Sequence, residues 1–176
     1  MTGHYQSLAE KPFDSHYTWT EIDIDAPVSV VFARARRISE WMKGHVIETI
    51  DGTPGEAGHF ERVLPRDLAP GTPQPHHHVY GIAHLIPDRY IGMEVFHEHG
   101  GSYGKARGWI SLDGVILTEL DPNRTRVAFL LVEIYDGRST PGVAAELAAE
   151  LEQLSSTLLT PYLQTLKAQA EGDVRA

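Results

Sequence analysis

Six of the ten histidines in this chain fall between residues 76 and 99, on two strand-like runs, His76 to Ile86 and Arg89 to His99, that flank a turn at Pro87-Asp88. An even turn sets His78 against His97, His76 against His99 and His84 against Ile91, and opposed residues share a face. One face then carries His76, His78, Tyr80, Ile82, His84, Ile91, Met93, Val95, His97 and His99. It is the more apolar face away from its end, and the one expected to turn inward. Imidazole titrates near neutrality, so His78 or His97, with Tyr80 beside them, would serve as general acid or base on a bound carbonyl compound. An aldol-type cyclisation, a dehydration or an enolisation needs such groups. The same spacing admits a metal, because two H-x-H pairs on adjacent strands (His76, His78, His97, His99) can converge on one divalent cation. It also admits histidines at a solvated sheet edge with no chemistry at all. A one-residue slip in register would send every one of these side chains to the other face.

Other candidates are scattered. A second hairpin, Trp109 to Leu120 and Thr125 to Tyr135 around Asp121-Pro122-Asn123-Arg124, sets Leu112 against Glu133 if its turn is even. Glu133 then shares a face with Phe129, Leu131 and Tyr135 as an inward carboxylate or, equally, an exposed strand residue. Trp109 and Trp41 are pocket or core aromatics. Arg34, Arg36 and Arg37 form the one basic cluster, an anion contact at a pocket mouth or a solvated helical face. The run from Gly100 to Gly108 lacks the strand-to-helix context of a phosphate loop and reads as a connector.

Two elements must hold these groups. In Thr18 to Trp41, Thr20, Ile22 and Ile24 alternate with Glu21, Asp23 and Asp25, which is a half-buried strand. Pro27 ends it, and Val28, Val31, Phe32, Ala35 and Ile38 follow at helical spacing. The second element is a long C-terminal helix from Pro141, with Val143, Leu147, Leu151, Leu154, Leu158, Tyr162 and Leu166 as its apolar stripe. Thirty such residues would extend about 45 Å. Pro161 lies inside the run, so a bend is expected near Thr157 to Pro161. Between the two elements come short strands at His45 to Ile50 and Gly58 to Leu64 and a proline-rich loop from Pro65 to Pro75.

Composition narrows the classes. The 176 residues suit one domain, and 41% hydrophobic residues is enough for a core. No window resembles a membrane span and the N-terminus lacks a signal pattern, so a cytoplasmic protein is expected. With no cysteines, disulfides and thiolate chemistry are excluded. Fifteen basic against twenty-four acidic residues, a net charge of −9, argue against nucleic acid as a partner.

The segment IDIDAPVSVVFARARRISEW resembles the opening of the START-like, helix-grip (SRPBCC) superfamily, which includes Bet v 1-type proteins, lipid-transfer domains and bacterial polyketide cyclases and aromatases. LTELDPNRTRVAFLLVEI is similar to that family's penultimate hairpin, and the closing helix fits. The resemblance implies an α+β helix-grip fold, with a curved antiparallel sheet of about seven strands around the C-terminal helix and two short helices after the first strand. Residues 1–16 would be an arm, 17–171 the domain and 172–176 a tail. It also implies an internal cavity for a small hydrophobic or aromatic molecule, and it argues against a metal or other cofactor. On this reading His78, His97 and Tyr80 do acid–base chemistry of the polyketide cyclase kind. His84, Met93, Val95, Trp109, Phe129, Leu131, Glu133, Leu158 and Tyr162 contact the ligand. A non-catalytic carrier or sensor, or a regulator of the Hsp90-activator type, is the alternative, and a homodimer stays open.

Overall fold

The computed structural model describes residues 13–42, 44–65, 78–97, 110–136 and 159–175. His76, His99, Trp109, Leu158, the glycine-rich connector and the closing helix before Leu159 lie outside the described residues. For His78, His97 and Glu133 the backbone alone is described.

Seven strands form one curved antiparallel sheet: β1 (Phe13–Ile24), β2 (Gly44–Asp51), β3 (Phe60–Pro65), β4 (His78–Ile86), β5 (Tyr90–His97), β6 (Ile110–Asp121) and β7 (Arg124–Asp136). Their order is β1-β7-β6-β5-β4-β3-β2, so β2 to β7 each pair with the next in sequence, while β1 lies beside β7 at the edge opposite β2. Two short helices, α1 (Val28–Ala35) and α2 (Ile38–Trp41), follow β1, and α3 (Thr160–Arg175) is the closing helix. This is the α+β helix-grip arrangement expected from the sequence.

The β1–α1 junction works as its residues dictate. Ile24 is buried and Glu21 exposed, as alternation requires. Pro27, at φ −57°, leads into α1, and its carbonyl accepts from the amides of Val30 at 3.0 Å and Val31 at 3.1 Å. Val31, Ala35, Ile38 and Trp41 are buried from α1 and α2. Trp41 donates its Nε1–H to the Ala35 carbonyl at 2.8 Å and meets Phe129 edge-on, with ring centroids 5.8 Å apart. On α3, Tyr162, Leu163, Leu166 and Ala170 face this cluster at helical spacing.

Polar ties fix the far end of α3. Arg34 pairs with Asp173, the Lys167 ammonium donates to the Asp23 carbonyl at 2.7 Å, and Glu171 accepts from the Asp25 amide at 3.0 Å. The Arg34 guanidinium holds the Asp173 carboxyl below its ordinary value. Glu171 is likewise lowered, first by Lys167 and then by the Asp25 amide.

Four boundaries differ from the sequence reading. β1 starts at Phe13, inside the segment read as an arm, because β7 runs to Asp136 and offers its backbone as a partner. The helix continues to Arg175, into the segment read as a tail, where Arg34 gives Asp173 a partner. In the β4–β5 hairpin His78 does oppose His97, but a bulge between Ile82 and His84 sets His84 against Gly92 and Leu85 against Ile91. His84 is therefore exposed, and Leu85 packs on the core in its place. Burying a leucine gains about 1.5–3 kcal/mol, whereas burying an unpaired imidazole costs free energy. A second bulge, between Glu119 and Asp121, moves Glu133 from opposite Leu112 to opposite Ser111.

Candidate functional site

The second bulge has a chemical consequence. Once β6 is shifted by one residue, Asp113, Val115 and Leu117 turn to the concave side and are buried, while Leu112 and Ile116 are exposed. Asp113, at 5% exposure, thus becomes a buried carboxylate in the row Ile82–Met93–Asp113–Leu131 running across β4, β5, β6 and β7. The even-turn register put Asp113 on the opposite face, so sequence reasoning missed it. Both faces of β6 are rich in apolar residues, and alternation alone could not choose between them.

Tyr80 stands one step along, paired with Val95 on β5 and with Glu61 on β3. Its phenol is pushed above the ordinary range, first by burial and then by the negative charge that Tyr162 and Asp113 would place nearby. A phenol raised in this way keeps its proton at neutral pH. Strand β4, strand β6 and helix α3 each contribute one polar group, Tyr80, Asp113 and Tyr162, to the concave side of the sheet, beside Met93, Val95 and Leu131. Met93 and Val95 are buried and Leu131 half-buried. Phe129 is fully buried against Trp41 and forms the boundary with the packed end of the core.

The backbone brings His78 and His97 opposite each other, two residues along from Tyr80 and Val95 on their strands. His84 is not part of this group. Among the described residues, no set of three or more His, Cys, Asp or Glu side chains is placed to hold a metal ion. His76 and His99 of the metal reading lie outside them. No helix among the described residues is long and apolar enough to cross a membrane.

A second polar group adjoins Tyr80. His59 and Glu61, both buried, meet through Nε2 and Oε2 at 3.2 Å, and His59 Nδ1 donates to the Asp51 carbonyl at 3.1 Å. They line a cleft with Arg36, Ser39, Gly55, Tyr80 and Ile82, with about 40 Å³ of room for water-sized occupants and a mouth open to solvent. Such a volume holds a few waters or one small polar group. Arg36 Nε is buried here without an acceptor, an omission that costs about 1–3 kcal/mol. The alternation His59-x-Glu61 was readable in the sequence as two residues on one strand face, but nothing marked that face as the inner one.

The chain shares its helix-grip fold with several solved structures. The ZhuI aromatase/cyclase from Streptomyces sp. R1128 superposes with a TM-score of 0.67 at 15% identity, covering 93% of this chain and 98% of its own. Norcoclaurine synthase from Thalictrum flavum, solved with dopamine and hydroxybenzaldehyde, gives 0.62 at 12% identity over 93% and 88%. A conserved protein from Geobacillus kaustophilus gives 0.65 at 12% identity over 90% and 97%. No family model matches the chain, and no curated protein matches it.

Proposed function

We propose that the concave face binds a small aromatic or polyketide-like carbonyl compound and that its polar groups promote an aldol-type cyclisation or dehydration. The observation that carries this reading is the gathering of Tyr80, Asp113 and Tyr162 from three elements onto an apolar lining. A protonated phenol hydrogen-bonded to a carbonyl oxygen stabilises the enolate that forms when the neighbouring carbon loses its proton. Asp113, or an imidazole at His78 or His97, receives that proton. The enolate carbon then attacks a second carbonyl of the same molecule, closing the ring as that oxygen takes the proton back, and the new hydroxyl leaves as water with a hydrogen from the adjacent carbon to give a carbon–carbon double bond. Met93, Val95, Leu131 and Tyr162, with Trp109, Glu133 and Leu158, would hold the substrate. The aromatase/cyclase and the synthase that share this fold support the reading as analogues of architecture.

The test is native mass spectrometry of protein purified from its own host, together with 2-naphthol as a neutral aromatic probe followed by fluorescence. A co-purifying aromatic molecule and saturable naphthol binding, weakened about tenfold in Tyr80→Phe, are the expected results. No bound molecule together with non-saturating naphthol fluorescence would remove the proposal.

A further inference from the structure

The three arginines of the α1–α2 junction are treated very differently by the fold. Arg34 pairs with Asp173 and Glu40, and Arg37 pairs with Glu40. Arg36, between them in space and sequence, has no side-chain partner among the described residues, and its Nε–H is sealed from solvent. Its stem is nevertheless held. Gly55 is buried at φ +82°, and a Cβ there would stand 3.4 Å from Arg36 Cγ and 3.6 Å from Cδ, so the loop backbone lies directly on the arginine methylenes.

The acids around the same cleft are already committed. Glu40 accepts from Arg34 and Arg37. Glu61 faces His59, whose Nδ1 must carry hydrogen because its partner, the Asp51 carbonyl, can only accept. The Glu61 carboxyl is thus engaged by His59 Nε2 at 3.2 Å. Arg36 is the cation of the cleft whose Nε–H has no acceptor.

We propose that the cleft between the α1–α2 junction and the β2–β3 hairpin is a binding site for a small oxyanion, a carboxylate or a phosphate, held by the Arg36 fork. Guanidinium geometry matches two oxygens of either group through paired N–H donors, and the buried Nε–H would be one of them. The volume suits a group of that size and not a fused ring. The cleft shares Tyr80 and Ile82 with the concave face, but anion binding read at Arg36 and Gly55 and naphthol binding read by fluorescence are distinct measurements, and either reading can fail without the other.

The test is a titration of ¹⁵N-labelled full-length protein with sodium acetate and, in parallel, sodium phosphate, at ionic strength held constant with sodium chloride. The Arg36 Nε–H and the Gly55 amide report by NMR. Saturable shifts at both signals support the site. Saturation by both anions assigns it to oxyanions in general, and saturation by one alone assigns it to carboxylates or to phosphates. Arg36→Lys keeps the charge but loses the fork, and is expected to bind about tenfold more weakly. Shifts that never saturate in the wild type, or saturation at Gly55 that persists in Arg36→Gln, would overturn the proposal.

Discussion

Trp41 on α2 and Tyr80 on β4 both face the interior side of the sheet, yet their polar atoms are placed in very different surroundings. The indole of Trp41 spends its one donor on Ala35, six residues away, and turns its ring edge to Phe129, so nothing polar is left over. Tyr80 carries its hydroxyl into a neighbourhood shared with Asp113 and Tyr162, groups delivered by a distant strand and by the last helix. The first region is what a stable core looks like. The second keeps polar groups on an apolar lining, where each is costly unless it is partnered or in use.

Trp41→Ala gives the sharpest test of that contrast. Removing a fully buried indole should lower unfolding free energy by about 3–5 kcal/mol in urea denaturation, and a loss below about 1 kcal/mol would show that stability does not reside at this end. The β4 bulge offers a smaller, paired test. Leu85→Ala should cost about 1–2 kcal/mol while His84→Ala stays within about 0.5 kcal/mol; reversed values would restore the even-turn register. At the polar end, Tyr80→Phe should change stability by no more than about 1 kcal/mol and yet impair naphthol binding, which separates function from folding.

The smallest effect is in acid. Asp173 and Glu171 have lowered carboxyls in the folded state, so their contribution is present above their unfolded values, 3.8 and 4.5, and is lost as pH falls through the folded ones. Asp173→Asn should lower the neutral-pH melting temperature slightly, because the pair is solvent-screened, and should flatten the decline below about pH 4 by the same small amount. An unaltered acid slope would mean that the Arg34 pair does not tie α3 down.

The fold was legible because its signals are long. The β1–Pro27–α1 passage and the two hairpins each involve ten or more residues of consistent pattern. Alternation and turn chemistry there admit one arrangement. The site was only partly legible, since it depends on two single-residue bulges that no pattern announced. One removed His84 from the inner face and the other brought Asp113 to it. Where both faces of a strand are apolar, as on β6, a shift of one residue changes the chemistry of a cavity without disturbing the topology. Tyr80 keeps its expected partner, Val95, because from His78 to Ile82 the register is the one an even turn predicts and only the residues nearer the turn are shifted.

The bonds that tie Lys167, Gln169, Glu171 and Asp173 to Asp23, Glu40, Asp25 and Arg34 all fall within the last three turns of α3. Tyr162, Leu163 and Leu166 come earlier on the helix and are packed in the apolar core. Directional polar bonds thus set the register of the tail, whereas the position of Tyr162 follows the shape of the side chains it rests on.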